Sequence, residues 1–263
     1  MKILLICHKD EQLNREGLAA WLYSLSDLVG VVELSERPSR IMKRIHRELE
    51  RIGYLRFLDV LAFRLFYKLC LRARDRAWEQ DLSSRLLARY GAVPQRVPVL
   101  RTASPNSKEA EQFIRHAEPD FVIARCKTLL AERIFTLPSV ATLVMHPGIC
   151  PEYRNAHGCF WALANRDLER VGMTLLKIDK GVDTGSVYGY FSCDYDEVGE
   201  SHVVIQHRVV FDNLDAIQKR IEEIFQGIAR PLNTTGRKSA MWGQPWMTRY
   251  LEWKRRARHK NQE

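Results

Sequence analysis

His146 and Asp183 are the two residues of this chain whose type and setting best suit chemistry. His146 closes the apolar run Leu143-Val144-Met145, and a Pro- and Gly-bearing stretch, Pro147 to Gly158, follows it. Asp183 sits in Val182-Asp183-Thr184-Gly185, after a second apolar run over 171–178. Read as strand, loop, short helix, strand and turn, this stretch puts an ionisable group at each of two strand ends. Open α/β sheets bind their ligands beyond such ends. An imidazole titrates near neutrality, so His146 can donate to a developing negative charge or relay a proton. Asp183 can accept a hydrogen bond from that imidazole or from a water, and it can also close an Asx turn. A core histidine bonded to backbone is the bland alternative at 146; the Pro-Gly loop and Asp183 argue against it.

The elements that must position this pair are readable in outline. Lys2 to Cys7 is an aliphatic first strand, Asn14 caps a helix from Arg15 to Leu25, and Leu28 to Leu34 is a second strand. That β-α-β opening predicts an α/β fold with a Rossmann-like, doubly wound sheet. It lacks Gly-x-Gly-x-x-Gly, so a dinucleotide grip is not indicated. Further strands are expected over 95–100, 121–124, 143–146, 171–178 and 187–192, with Ser107 capping a helix to His116 and one long helix from Ser201 to Phe225.

Residues 38–90 read as a helical insertion, two helices outside the sheet with the arginines outward. Ile41, Ile45, Leu49 and Ile52 precede a break at Gly53; Leu58, Leu61, Leu65 and Leu69 follow it at helical spacing. The stripe Phe57, Phe63, Phe66, Tyr67 reads as core or partner contact. The sheet or a second subunit, making a homodimer, is the cheaper cover for these apolar faces; a membrane surface is the weaker one. From Pro231 the chain reads as irregular and aromatic (Trp242, Trp246, Tyr250, Trp253), wrapped on the surface and ending in a basic tail.

The 263 residues carry a net charge of +9, unevenly placed. Between Arg37 and Glu79 there are twelve Lys/Arg and five acids, 12 − 5 = +7. Such a block suits nucleic acid, anionic lipid or a phosphorylated substrate, or is a solvated helix face. No apolar run approaches the roughly 20 residues of a membrane span. The run Ile3 to Cys7 leads into polar His8-Lys9-Asp10 and reads as a strand rather than a signal peptide. Six cysteines without paired spacing read as reduced thiols of a cytoplasmic protein. Cys126, Cys150, Cys159, His146 and His157 lack metal-ligand spacing, and no metal is expected.

The segment from about 120 to 190 resembles the folate-dependent formyltransferases. His146, the loop Pro151-Glu152-Tyr153-Arg154-Asn155 and Val182-Asp183-Thr184-Gly185 match that family's histidine, Pro-containing loop and Leu-Asp-Thr-Gly in order and spacing. The resemblance implies a transferase of one-carbon groups, with 10-formyltetrahydrofolate as formyl donor and a primary amine as acceptor. His146 and Asp183 would be catalytic. The donor would lie against Arg125, Cys126, Lys127, Leu129 and Val144. Val144 stands where the family has an asparagine that helps hold the formyl oxygen. Asn155 and His157 are the candidates to replace that donor, and Arg154 to hold a substrate phosphate or the folate tail. The catalytic domain is then 1–230, with 231–263 a C-terminal surface extension. An amino sugar, nucleotide-linked or otherwise small, is the expected acceptor. The tRNA enzymes of the family carry a C-terminal barrel, whereas about 35 residues follow Gly227 here; the basic block keeps tRNA as the alternative. Hydrolysis of the donor and a non-catalytic folate-binding scaffold are the other readings.

Overall fold

The computed structural model describes residues 1–35 and 38–260, the side chains of 38–44, 47 and 260 excepted. In chain order the strands are β1 (Lys2–His8), β2 (Asp27–Leu34), β3 (Val99–Thr102), β4 (Phe121–Arg125), β5 (Ala141–His146), β6 (Arg154–Asn155), β7 (Met173–Lys177), β8 (Val187–Phe191) and β9 (Met241–Trp242). The helices are α1 (Ala19–Leu25), α2 (Pro38–Phe66), α3 (Arg72–Tyr90), α4 (Lys108–Ala117), α5 (Glu132–Phe135), α6 (Gly158–Ala164), α7 (His202–Phe211), α8 (Leu214–Phe225) and α9 (Met247–Lys260). Among the described residues, seven strands form one sheet in the order β3-β2-β1-β4-β5-β7-β8. The first five are parallel; β7 runs antiparallel to β5, and β8 antiparallel to β7.

Ile3 to Cys7 are buried on both faces, as a near-continuous aliphatic run requires of a central parallel strand. Alternate residues feed two cores. Leu5, Trp21, Phe121, Leu143 and Phe160 belong to the larger, and Leu4, Ile6, Ile114 and Val122 to the smaller, with Val144 against it. Ser107 caps α4 by accepting from the Ala110 N–H at 3.1 Å.

Residues 38–66 and 72–90 are helical, but only α2 stands apart. α3 packs on α1 and delivers the chain to β3, so it is the crossover that a parallel β2–β3 pair requires. The break at Gly53 is present, at φ 77°. Phe63 is buried against Phe160 and Tyr250, and Phe66 and Tyr67 are partly buried against the same core, so these three residues of the aromatic stripe are core contacts. The expected burial of Ile41 and outward placement of Arg37, Arg40, Lys43, Arg44 and Arg47 lie outside the described residues.

Three local expectations fail for physical reasons. Asn14 is inside a helical turn, Leu13–Leu18, rather than at its cap; its side chain donates to Glu11 (2.8 Å) and accepts from Arg125 (3.3 Å), and those partners outcompete capping. The helix from Ser201 breaks into α7 and α8 at Asp212-Asn213, where the Asn213 amide donates to the carbonyls of Ser192 and Val209. The C-terminal part is regular rather than irregular: β9 pairs with β6, and α9 buries Tyr250, Trp253 and Ala257 at helical spacing.

Candidate active site

β5 carries His146 to the edge of the sheet, where the chain turns at Pro147 and coils tightly on itself. The coil is closed by two glycines: a Cβ on Gly158 would come within 2.5 Å of the Gly148 Cα and 2.8 Å of the Pro147 carbonyl oxygen. Thr174, opposite His146 in the β5–β7 register, pins the coil by donating to the Gly148 carbonyl (2.6 Å) and accepting from the Cys150 N–H (3.0 Å). The coil returns the Tyr153 carbonyl oxygen to within 2.8 Å of His146 Nε2. A carbonyl only accepts, so Nε2 carries the hydrogen. The ring is 6 % exposed, its orientation is fixed, and Nδ1 is left for other work.

Nδ1 faces Asp183 Oδ2 at 3.6 Å. Asp183 does not arrive at the carboxyl end of a neighbouring strand, as the run of strands suggested. β7 is antiparallel to β5, so its carboxyl end lies beside Leu143, away from His146. The loop 178–186 carries the aspartate back. Asp179 braces that loop by accepting from the Gly181 N–H (2.9 Å) and the Thr184 hydroxyl (2.7 Å). Gly185 presses on the Lys177 carbonyl so closely that a Cβ there would sit 1.7 Å from the oxygen, which explains the glycine of Asp-Thr-Gly. Asp183 Oδ2 also accepts from the Asn155 N–H at 2.8 Å, locking loop to coil. Asp183, Asn155 and His157 adopt left-handed backbone, with φ of 51°, 77° and 55°. Such conformations cluster where a surrounding structure holds side chains for a purpose.

The remaining sequence candidates divide by partner. Arg154 donates to the Val182 carbonyl at 3.0 Å, a loop-to-loop tie. The Asn155 side chain turns its amide to the Trp242 carbonyl at 2.5 Å. The His157 ring lies 5.7 Å from that of His202; burial first, then Lys127 and Arg64, pushes its pKa down to about 4. Neither Asn155 nor His157 is a hydrogen-bond partner of the His146 ring, which bonds to the Tyr153 carbonyl. Beneath the site, Arg125 donates to the Met145 carbonyl and to Asn14. The Lys127 N–H donates to His8, and its ammonium pairs with Glu11 at 2.8 Å. The Cys126 thiol donates to the Thr128 carbonyl. Leu129, 62 % exposed, and half-buried Val144 are the apolar members of this group.

The sequence reading missed Trp242. It stacks between Tyr153 (centroids 5.7 Å) and Trp161 (4.8 Å) and donates to the Glu152 carbonyl at 2.9 Å. With Tyr153, Asp167, Arg170 and Arg237 it lines a cavity of about 470 Å³. Tyr153 therefore serves both places, its carbonyl on His146 and its ring on the cavity. Three aromatics on the 153–161 stretch, Tyr153, Phe160 and Trp161, and an aromatic-rich segment near the C-terminus were the available signal.

A model described as Formyl transferase matches residues 71–221, over half of the chain, and the chain belongs to that family. It is 31% identical over 134 residues to a methionyl-tRNA formyltransferase of Thermotoga sp. (strain RQ2), covering 51% of this chain and 38% of that protein. A methionyl-tRNA formyltransferase of Clostridioides difficile (strain 630) is 28% identical over 115 residues, 42% of this chain and 37% of that one. The chain's match thus spans well under half of these relatives. Among solved structures, a sugar N-formyltransferase from Shewanella sp FDAARGOS_354 superposes with a TM-score of 0.57 at 11% identity, covering 98% of this chain and 87% of that one. A phosphoribosylglycinamide formyltransferase from Anaplasma phagocytophilum gives 0.54 at 12% identity, over 93% and 99%. These two likenesses show the fold.

Proposed function

We propose that the chain transfers a formyl group from 10-formyltetrahydrofolate to a primary amine on a small acceptor, with a nucleotide-linked or free amino sugar first among them. One observation carries the reading: within a formyl transferase fold, His146 is held by the Tyr153 carbonyl so that Nδ1 faces Asp183 at 3.6 Å. The donor supplies an activated one-carbon acyl group. The apolar residues at this end of the sheet suit it: exposed Leu129 follows β4, and Val144 lies beside β4 in the register. The amine nitrogen bonds to the formyl carbon and the bond from that carbon to N10 breaks; His146 Nδ1 takes the proton that must leave the amine, the ring then carries two N–H donors, and the proton passes on to N10 of the departing tetrahydrofolate. The Asp183 carboxylate pairs with that charged ring across the 3.6 Å between them.

A cavity of about 470 Å³ beside Tyr153, with an aromatic wall, Lys238, and Arg170 and Arg237 paired with Asp167 and Glu152, is of a size for a small polar molecule. That supports a small acceptor over a tRNA. Residues 1–230 are the catalytic unit in this proposal, 231–263 complete it through Trp242, and the protein works in the cytoplasm. The test is to incubate the protein with 10-formyltetrahydrofolate and a panel of amines, methionyl-tRNA included, and to follow both the folate product and the formyl adduct by mass. An adduct on an amino sugar is the expected result. Folate turnover without an adduct would make the protein a hydrolase, and folate binding without turnover a scaffold.

A further inference from the structure

Helix α2 has two apolar faces. Beyond Gly53, Val60 and Phe63 are buried, the latter against Phe160 and Tyr250. On the opposite side Tyr54, Leu58, Leu61 and Leu65, continued by Leu69 in the helical turn Tyr67–Leu71 that follows α2, recur at helical spacing and are exposed by 79, 60, 42, 59 and 72 %. At ~1.5 Å per residue this strip is about 22 Å long. A helix apolar all round is ordinarily buried, and a continuous exposed apolar strip marks an interaction surface.

The flanks decide the partner. From Val60 to Arg74 the sequence holds Arg64, Lys68, Arg72 and Arg74 and no acid. Arg64, Lys68 and Arg74 are exposed and make no ion pair among the described residues. α9 carries the other basic segment and lies against the buried face of α2, where Tyr250 meets Phe63 and Phe66. It packs on α2, and burial, then the charge of Arg74, with Arg258 contributing, pulls the Lys254 pKa down to about 8. The acids nearby are engaged: Asp59 with Thr248, and Glu252 with Arg249 and Arg256. A two-fold contact between copies of this chain would be self-complementary, bringing unneutralised bases face to face.

We propose that the outer face of α2 docks on an anionic phospholipid surface. The leucines enter the boundary between headgroups and acyl chains, and the exposed bases Arg64, Lys68 and Arg74 lie against lipid phosphates. No helix among the described residues is long and apolar enough to cross a membrane, so the attachment is peripheral. The proposal is independent of which amine the active site uses.

The test uses the full chain in vesicle co-sedimentation, with phosphatidylcholine alone and with about one-third phosphatidylglycerol added. Binding to the anionic vesicles should exceed binding to the neutral ones by about tenfold or more and weaken with salt. The Leu58→Asp/Leu65→Asp variant should fall to the neutral-vesicle level with its melting temperature unchanged, because both side chains are largely solvent-exposed. Should that variant misfold, Arg64→Glu/Lys68→Glu tests the same surface through its charge. No sedimentation, equal sedimentation with both vesicles, or variants that bind like the parent would overturn the proposal. So would a dimer in light scattering that the leucine variant dissociates while no vesicle binding occurs; the strip would then be a subunit contact.

Discussion

Replacing Asp183 by Asn tests the site at its most specific point. With Nε2–H committed to the Tyr153 carbonyl, the neutral His146 ring turns a lone pair toward Asp183 Oδ2 across 3.6 Å. That is longer than a hydrogen bond. The pair becomes attractive only when Nδ1 takes a proton, so its stabilisation belongs to the transition state and should appear in kcat. Two unit charges 3.6 Å apart attract by about 5 kcal/mol at an effective dielectric of about 20. Desolvation of two largely buried groups takes back roughly half, leaving about 2–3 kcal/mol, or roughly a hundredfold in rate. The substituted side chain can still accept from the Asn155 N–H through its amide oxygen, so the loop should keep its place. Because that oxygen is also the atom that faces Nδ1, the NH2 group stays on the far side and the charged ring loses its carboxylate partner. The assay is turnover at saturating donor and acceptor, with Asp179→Asn as control, since Asp179 braces the same loop through Gly181 and Thr184. We expect kcat to fall about a hundredfold for Asp183→Asn with KM little changed, and the Asp179 variant to lose stability first. A folded Asp183→Asn protein with kcat within about threefold of the parent would refute this account of the pair.

Val144→Asn should leave turnover equal or raise it, by up to the roughly 2.7–4 kcal/mol that one oxyanion donor contributes in other enzymes; abolished activity in a folded variant would show that the valine shapes the substrate site. Trp242→Ala empties the stack between Tyr153 and Trp161 and should cost about 2–4 kcal/mol in urea unfolding; an unchanged midpoint would mean that the C-terminal segment is not integral. The folded protein should also lose stability in mild acid. Burial pushes the His157 pKa down to about 4 and that of His202 well below its ordinary range, while the unfolded residues titrate near 6.5. Between those values the unfolded chain binds more protons, so stability is complete above about pH 6.5 and declines as the pH falls toward about 4. For His157 alone the loss is about 2 kcal/mol at about pH 5. Unfolding midpoints that do not change between about pH 7 and pH 5 would contradict the burial of this pair.

What the sequence disclosed, and what it concealed, follows from which interactions side chains encode. His146 and Asp183 were legible because each is an ionisable residue set among prolines or glycines after an apolar run. The direction of β7 was not: Met173 to Leu176 are all buried, and such a run reads the same whether its neighbour is parallel or antiparallel. The Tyr153 carbonyl that orients His146 is a backbone atom and has no residue code. α3 could have been recognised as a crossover, because two successive parallel strands require one. Its basic residues instead merged with those of α2 into one apparent insertion. In α9, Tyr250, Trp253 and Ala257 had helical spacing, hidden among cations.

The register gives Val144 a meaning that the sequence alone could not. Val144 lies directly opposite Leu176, and His146 opposite Thr174, whose hydroxyl is committed to the coil at both ends. The wall beside the histidine is therefore apolar on two adjacent strands. A charge developing there would find no side-chain donor from Val144 or Leu176. In the proposed transfer the electrostatic work then falls on the His146 ring, and hence on the carbonyl and carboxylate beside its two nitrogens. An apolar wall lowers the effective dielectric around that ring. The dependence of that ring on Asp183 should be correspondingly steep.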